Sequence, residues 1–179
     1  MPNPVARIAD GHLILKQKAR FKRVPLLSSQ TFDLDLASQQ YPIDLTVKLV
    51  AITGNRSNTR EYNNIELGWA DGDGKLVFAW RWELTQIDKS QAYRLFNSQR
   101  WTNFIYTKPS QSVFKDGDVI GLRITDAAVQ MLRNGKVVRQ TGRPSDLENT
   151  GKCRIYLSWV GPVDGAQLQL DDVRVDGLR

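Results

Sequence analysis

The stretch from Phe114 to Thr141 constrains this chain most. It holds an Asn134-Gly135 step between two alternating segments, Val129–Arg133 and Lys136–Gln140. Asn-Gly tolerates the positive φ angles that a two-residue β-hairpin demands, so the step predicts a tight hairpin. Just upstream, Asp116-Gly117 feeds Val119–Thr125, where Ile120, Leu122 and Ile124 alternate with Gly121, Arg123 and Thr125. Three short antiparallel strands in a row, each with one apolar face, point to a β-sandwich or barrel.

The rest of the chain repeats that grammar. Leu13–Phe21 follows an Asp10-Gly11 turn; Thr31–Leu36 and Ile43–Ile52 alternate; Ile65–Ala70 and Lys75–Leu84 flank Asp71-Gly72-Asp73-Gly74. Trp101–Thr107, Arg154–Val160 and Ala166–Val175 complete the set. Gly54–Asn64 has the polar composition of a long loop, and Lys89–Phe96 reads as a short helical turn. No repeat, low-complexity tract or linker divides the chain, so residues 1–179 are expected to form one domain, all-β, with two antiparallel sheets.

Composition narrows the chemistry. Cys153 is the one cysteine and His12 the one histidine, which leaves no disulfide framework and no Cys/His zinc site. Cys153, at the entrance of a strand, reads as a small buried hydrophobe. No apolar run approaches the length of a membrane-spanning helix. Met1-Pro2-Asn3-Pro4 lacks the basic start and apolar stretch of a secretory signal, which fits a cytoplasmic protein or a mature segment of a longer precursor. The formal net charge is +6, and Lys16, Lys18, Arg20, Lys22 and Arg23 put five positive charges into eight residues. On an extended strand Lys16, Lys18, Arg20 and Lys22 line one side. Such a row suits an acidic polymer, or protects an edge strand from aggregation.

Alternation also sorts the faces. Leu76, Phe78, Trp80, Trp82 and Leu84 fall on one side of their strand, as do Ile65, Leu67 and Trp69, and Ile155, Leu157 and Trp159. These rings belong to the core. If the strands are neighbours, the opposite side collects Glu66, Arg81, Glu83, Arg123, Tyr156 and Ser158, which we expect to form a ligand-binding face with Tyr62 from the polar loop. Guanidinium and carboxylate groups match paired sugar hydroxyls, and Tyr stacks on a pyranose ring. The competing reading is a half-exposed face of cross-strand ion pairs.

Gly117-Asp-Val-Ile-Gly-Leu-Arg-Ile124, the turn after it and Arg133-Asn-Gly-Lys-Val-Val138 resemble the central hairpin of the concanavalin A-like lectin/glucanase superfamily, which includes laminin G-like and SPRY-like modules. Leu168-Gln-Leu-Asp-Asp-Val-Arg-Val-Asp-Gly177 is similar to its closing strand, and Asp10-Gly-His-Leu-Ile-Leu15 to its opening one. The resemblance implies a jelly roll with a shallow trough on a concave sheet face, where many relatives bind sugars. It therefore implies a non-catalytic, lectin-like module with a carbohydrate or glycoconjugate partner and no cofactor. A structural calcium ion at Asp171 and Asp172 is a further implication. Glucanase relatives carry Glu-x-Asp-x-x-Glu on one strand, and this chain has no such run. A hydrolase would instead draw an unusual carboxylate pair from Glu66 and Glu83. The third function the resemblance allows is a SPRY-like or laminin G-like protein-interaction domain.

Overall fold

Thirteen strands account for the regular structure in the computed structural model, which describes residues 5–16, 24–34, 41–53, 64–83, 92–97, 100–106, 114–143, 151–160 and 166–177. In chain order they are β1 (Val5–Ala9), β2 (His12–Lys16), β3 (Val24–Asp33), β4 (Ile43–Thr53), β5 (Asn64–Asp71), β6 (Leu76–Glu83) and β7 (Ala92–Asn97). They continue with β8 (Arg100–Tyr106), β9 (Val119–Ile124), β10 (Ala128–Arg133), β11 (Lys136–Gly142), β12 (Lys152–Val160) and β13 (Gln167–Asp176). Among the described residues there is no helix, and so none long and apolar enough to cross a membrane.

Two antiparallel sheets face each other. One has seven strands in the order β1-β2-β13-β4-β9-β10-β11; the other has six, β3-β12-β5-β6-β7-β8. Chain neighbours such as β2 and β3 sit in different sheets, and β12 returns between β3 and β5, which is the crossing pattern of a jelly roll. The hairpin predicted at Asn134-Gly135 is present: the two residues have φ of 51° and 75°, and Arg133 pairs with Lys136. Asp10-Gly11 closes β1 onto β2 in the same way, with φ of 52° and 79°.

The core lies between the sheets. From the six-stranded sheet come Ile65, Leu67, Trp69, Phe78, Trp80, Trp82, Leu157 and Trp159; from the seven-stranded sheet come Leu15, Leu45, Val47, Ile120, Leu122, Met131, Leu168 and Leu170. Trp69, Trp80, Trp82 and Trp159 are fully buried. The alternation was therefore phased correctly, and Cys153 is buried in the same core.

Three local expectations fail. The residues read as a helical turn, Lys89–Phe96, contribute to strand β7 from Ala92 onward, because pairing with β6 on one side and β8 on the other overrides weak local propensity. The strand expected at Thr31–Leu36 starts at Val24 instead. Its Pro25 is tolerated because β3 is at the sheet edge, where a missing N–H breaks no ladder. The strand that carries Lys16 is not an edge: β2 lies between β1 and β13, so the edge-protection reading does not apply to it. Lys16 is exposed at its end; Lys18, Arg20 and Lys22 lie outside the described residues.

Candidate binding face

The outer side of the six-stranded sheet brings most of the expected residues together. Register aligns Ser158 of β12 with Glu66 of β5, and Glu66 with Arg81 of β6. One row along, Tyr156 aligns with Gly68, and Gly68 with Ala79. Alternation makes this inevitable once the tryptophans are inside, since each of these residues precedes or follows a core residue.

Glu66 is the centre of the group. Arg81 donates from Nε to Glu66 Oε1 at 2.8 Å, and its Nη2 donates to the same oxygen. Tyr156 donates its hydroxyl to Glu66 Oε2 at 2.9 Å. Both carboxylate oxygens are thus engaged, by a charge-assisted fork on one side and a phenol on the other. The side chains of Arg81 and Glu66 are only 7% and 1% exposed. This face was expected to look outward into solvent, and it does not: Glu66, Arg81, Ser158, Tyr156 and Asn64 are all buried. Ala70, Ala79 and Tyr156 form a small apolar cluster with Leu27 and Leu76 beside the charged pair.

Two polar atoms in the group are left over. Ser158 Oγ and Asn64 Oδ1 are buried and have no hydrogen-bond partner among the described residues. Asn64 stands two positions before Glu66 on the same strand and shares its face. The sequence puts it on this side of β5, but nothing in the pattern distinguished it from the loop before it. A buried polar group without a partner costs about 1–3 kcal/mol, so both atoms ask for a ligand or a functional explanation.

Arg123 does not belong with them. It lies on β9 of the other sheet, where it donates from Nε and Nη2 to Asp44 Oδ1 and Oδ2 at 2.7 Å each. That bond raises its pKa further, against burial, which lowers it. The expectation assumed that all four strands were neighbours, and strand order across two sheets is not written in alternation. Glu83 pairs with Asn64, one row from Glu66 on the adjacent strand; its side chain and the whole of Tyr62 lie outside the described residues.

Asp171 and Asp172, the residues expected to hold calcium, each have a charged or ionisable neighbour. Asp171 lies 3.7 Å from His12, and Asp172 pairs with Arg174 at 3.1 Å. Among the described residues no three His, Cys, Asp or Glu side chains are placed to share a metal. His12 and Cys153 stand on different sheets.

No protein-family model matches the chain, and no curated protein matches it in sequence. Solved structures do match in fold. The carbohydrate binding module CBM66 from Bacillus subtilis superposes with a TM-score of 0.57 at 10% identity, over 97% of this chain and 91% of that one. A β-glucanase from Bacillus licheniformis gives 0.54 at 8% identity, over 90% and 76%. The carbohydrate recognition domain of Emp46p gives 0.55 at 14% identity, over 94% and 86%. The chain has the concanavalin A-like jelly-roll fold. At these identities the likeness speaks for fold, and function has to be argued from the site.

Proposed function

We propose that the chain is a carbohydrate-binding module whose site lies on the outer face of the six-stranded sheet, where Asn64, Glu66, Arg81, Tyr156 and Ser158 are buried in the unliganded protein and have to be uncovered for sugar hydroxyls to reach them. The observation that carries this reading is the pair of buried, unpartnered oxygens, Ser158 Oγ and Asn64 Oδ1, flanking a carboxylate already held by Arg81 and Tyr156. A locked carboxylate orients a binding site without moving, and free acceptors beside it suit hydroxyl donors. Fold neighbours described as a carbohydrate binding module and a carbohydrate recognition domain support the same class.

Ser158→Ala separates binding from structure. Removing an unsatisfied buried hydroxyl stabilises the free protein, by about 1 kcal/mol. It also removes a contact to the ligand, so affinity for any glycan captured on an array falls roughly tenfold. A wild type that captures no glycan, or a variant that binds as well as wild type, overturns the proposal.

A hydrolase is the second reading, favoured by one observation: Glu83 is the diagonal neighbour of Glu66 across β5 and β6. Diagonal positions stand about 7–8 Å apart on the backbone, close enough for two carboxylates to act on one glycosidic bond. Product release from a polysaccharide panel, abolished by Glu83→Gln, is what this reading requires. Its absence at high protein concentration leaves the binding module.

A further inference from the structure

Asn134 is the one asparagine of the chain that glycine follows. It opens the turn between β10 and β11, where it and Gly135 are both exposed, with φ of 51° and 75°. A glycine carries no Cβ to shield its own backbone nitrogen, so that nitrogen can reach the Cγ of a preceding asparagine. The turn that makes the hairpin is therefore also the place in this chain where an amide side chain is most open to attack by its own backbone.

That amide also holds the structure together. Asn134 Oδ1 accepts from Val119 N, and Nδ2 donates to Asp118 Oδ1, at 2.8 Å each. The Asn134 backbone N–H donates to the Val119 carbonyl at 2.7 Å. One residue thus ties the hairpin turn to the entrance of β9. Asp118 is buried, and its other oxygen, Oδ2, accepts from Lys115 N at 2.8 Å and from Arg133 Nη2. Among the described residues, the donor on Asp118 Oδ1 is the Asn134 amide.

We infer that Asn134 is a deamidation site, and that the acid formed there unlocks the hairpin from β9. Gly135 N gives up its proton and bonds to Asn134 Cγ; the Cγ–Nδ2 bond breaks, and ammonia leaves with that proton. Solvent water then opens the cyclic imide at either carbonyl, giving aspartate or isoaspartate at position 134. Ring closure folds the side chain back onto its own backbone, so its bonds to Asp118 and Val119 open first and hold the reaction back. Aspartate keeps an acceptor for Val119 N but replaces the donor facing Asp118 with a second carboxylate oxygen, so that like charges meet on a buried partner. Isoaspartate threads Cβ into the main chain and lengthens a turn whose two residues are fitted to the Arg133–Lys136 pair. The site lies at the seven-stranded sheet, apart from the proposed sugar-binding face, and does not depend on it.

Peptide mapping by mass spectrometry, on the folded chain held in mildly alkaline buffer, reads the conversion. Asn134 loses its amide ahead of every other asparagine, and both acids form. Asp118→Ala frees the amide and speeds the loss roughly tenfold. The consequence is read on variants that do not need Asp118→Ala to fold. Asn134→Asp lowers the urea midpoint, and adding Asp118→Asn to it raises the midpoint again, because an amide then stands between the two side chains once more. In the wild-type background the same Asp118→Asn lowers the midpoint. Two residues with merely structural roles would instead give losses that add. The inference is overturned if Asn134 keeps its amide while another asparagine converts, if a folded Asp118→Ala chain converts no faster than wild type, or if the double variant is no more stable than Asn134→Asp alone.

Discussion

Each sheet carries an arginine–carboxylate pair across two neighbouring strands on its outer face, Arg81–Glu66 on the six-stranded sheet and Arg123–Asp44 on the seven-stranded one. Their chemistry is the same and their surroundings are not. Arg123 and Asp44 keep 30% and 20% of their side-chain surface in solvent, whereas Arg81 and Glu66 keep 7% and 1%. Water still screens the first pair and lets its side chains be replaced one at a time. The second pair has given up hydration on both partners, so each depends on the other being there. The sheet with the sealed pair is also the one with unpartnered buried oxygens, Asn64 Oδ1 and Ser158 Oγ, on its outer side. One pair stays in contact with water, and the other is sealed from it.

The largest effect that tests this contrast is stability after truncation. Arg81→Ala takes the guanidinium away from a buried carboxylate that Tyr156 also holds and is expected to cost about 3–5 kcal/mol in urea denaturation. Arg123→Ala is expected to cost about 1 kcal/mol, and its deficit to shrink in roughly 1 M salt. Equal losses would erase the distinction between the faces. The double change Glu66→Leu with Arg81→Met sharpens it from the other side. Apolar replacements of a buried pair are often neutral or stabilising, so this variant should fold as well as wild type while losing any glycan affinity.

Glycines on the two faces offer the next comparison. Gly68 and Gly121 both face outward, and neither has a positive φ, so only space decides. A Cβ on Gly68 would run into the Phe78 carbonyl oxygen and the Ala79 Cα, which are backbone and move only with strand β6. On Gly121 it would meet the Thr46 Cγ2 at 2.8 Å and the Leu45 carbonyl at 3.2 Å, the nearer of which belongs to a side chain that turns aside. Gly68→Ala is expected to cost about 3 kcal/mol and Gly121→Ala about 1 kcal/mol, read from denaturation midpoints. A milder Gly68→Ala would mean that the six-stranded sheet gives way more easily than its packing implies.

The sequence made one half of this comparison readable. Alternation placed Glu66, Arg81, Tyr156 and Ser158 on one side of their strands because tryptophans two apart leave no other phase. It placed Arg123 outward as well, correctly, yet could not say outward from which sheet. Strand neighbours in a jelly roll are set by long-range pairing, and β12 reaches β5 across more than eighty residues of chain. Burial was hidden for a related reason. A polar residue on an alternating strand reads as exposed unless one knows what else packs on that side. The bulges at Ser28–Gln30 and Asp172–Val173 left no mark either, since their residues are ordinary strand and loop types.

A third pair, Arg133–Asp118, falls between the two in burial, at 14% and 9%, and gives the smallest and most selective test. Asp118 accepts from Lys115 N and Asn134 Nδ2 at 2.8 Å each and from Arg133 Nη2, whose guanidinium lies 4.6 Å above the Phe114 ring. Burial pushes the Asp118 carboxyl up, but these hydrogen bonds and the Arg133 charge together outweigh it, and its pKa lies below the ordinary carboxylate range. A pKa lowered by folding contributes stability above the unfolded value, near pH 4, and that contribution is lost as pH falls through the folded value. Asp118→Asn is therefore expected to be less stable than wild type at neutral pH, by on the order of 1 kcal/mol, and the gap to narrow as the pH drops below about 4. Urea titrations at neutral pH and near pH 3 measure both. A gap that stays constant would show that Asp118 holds the β10–β11 turn against the start of β9 by hydrogen-bond geometry alone, and that partial burial is not enough to make an ion pair in this protein count through its charge.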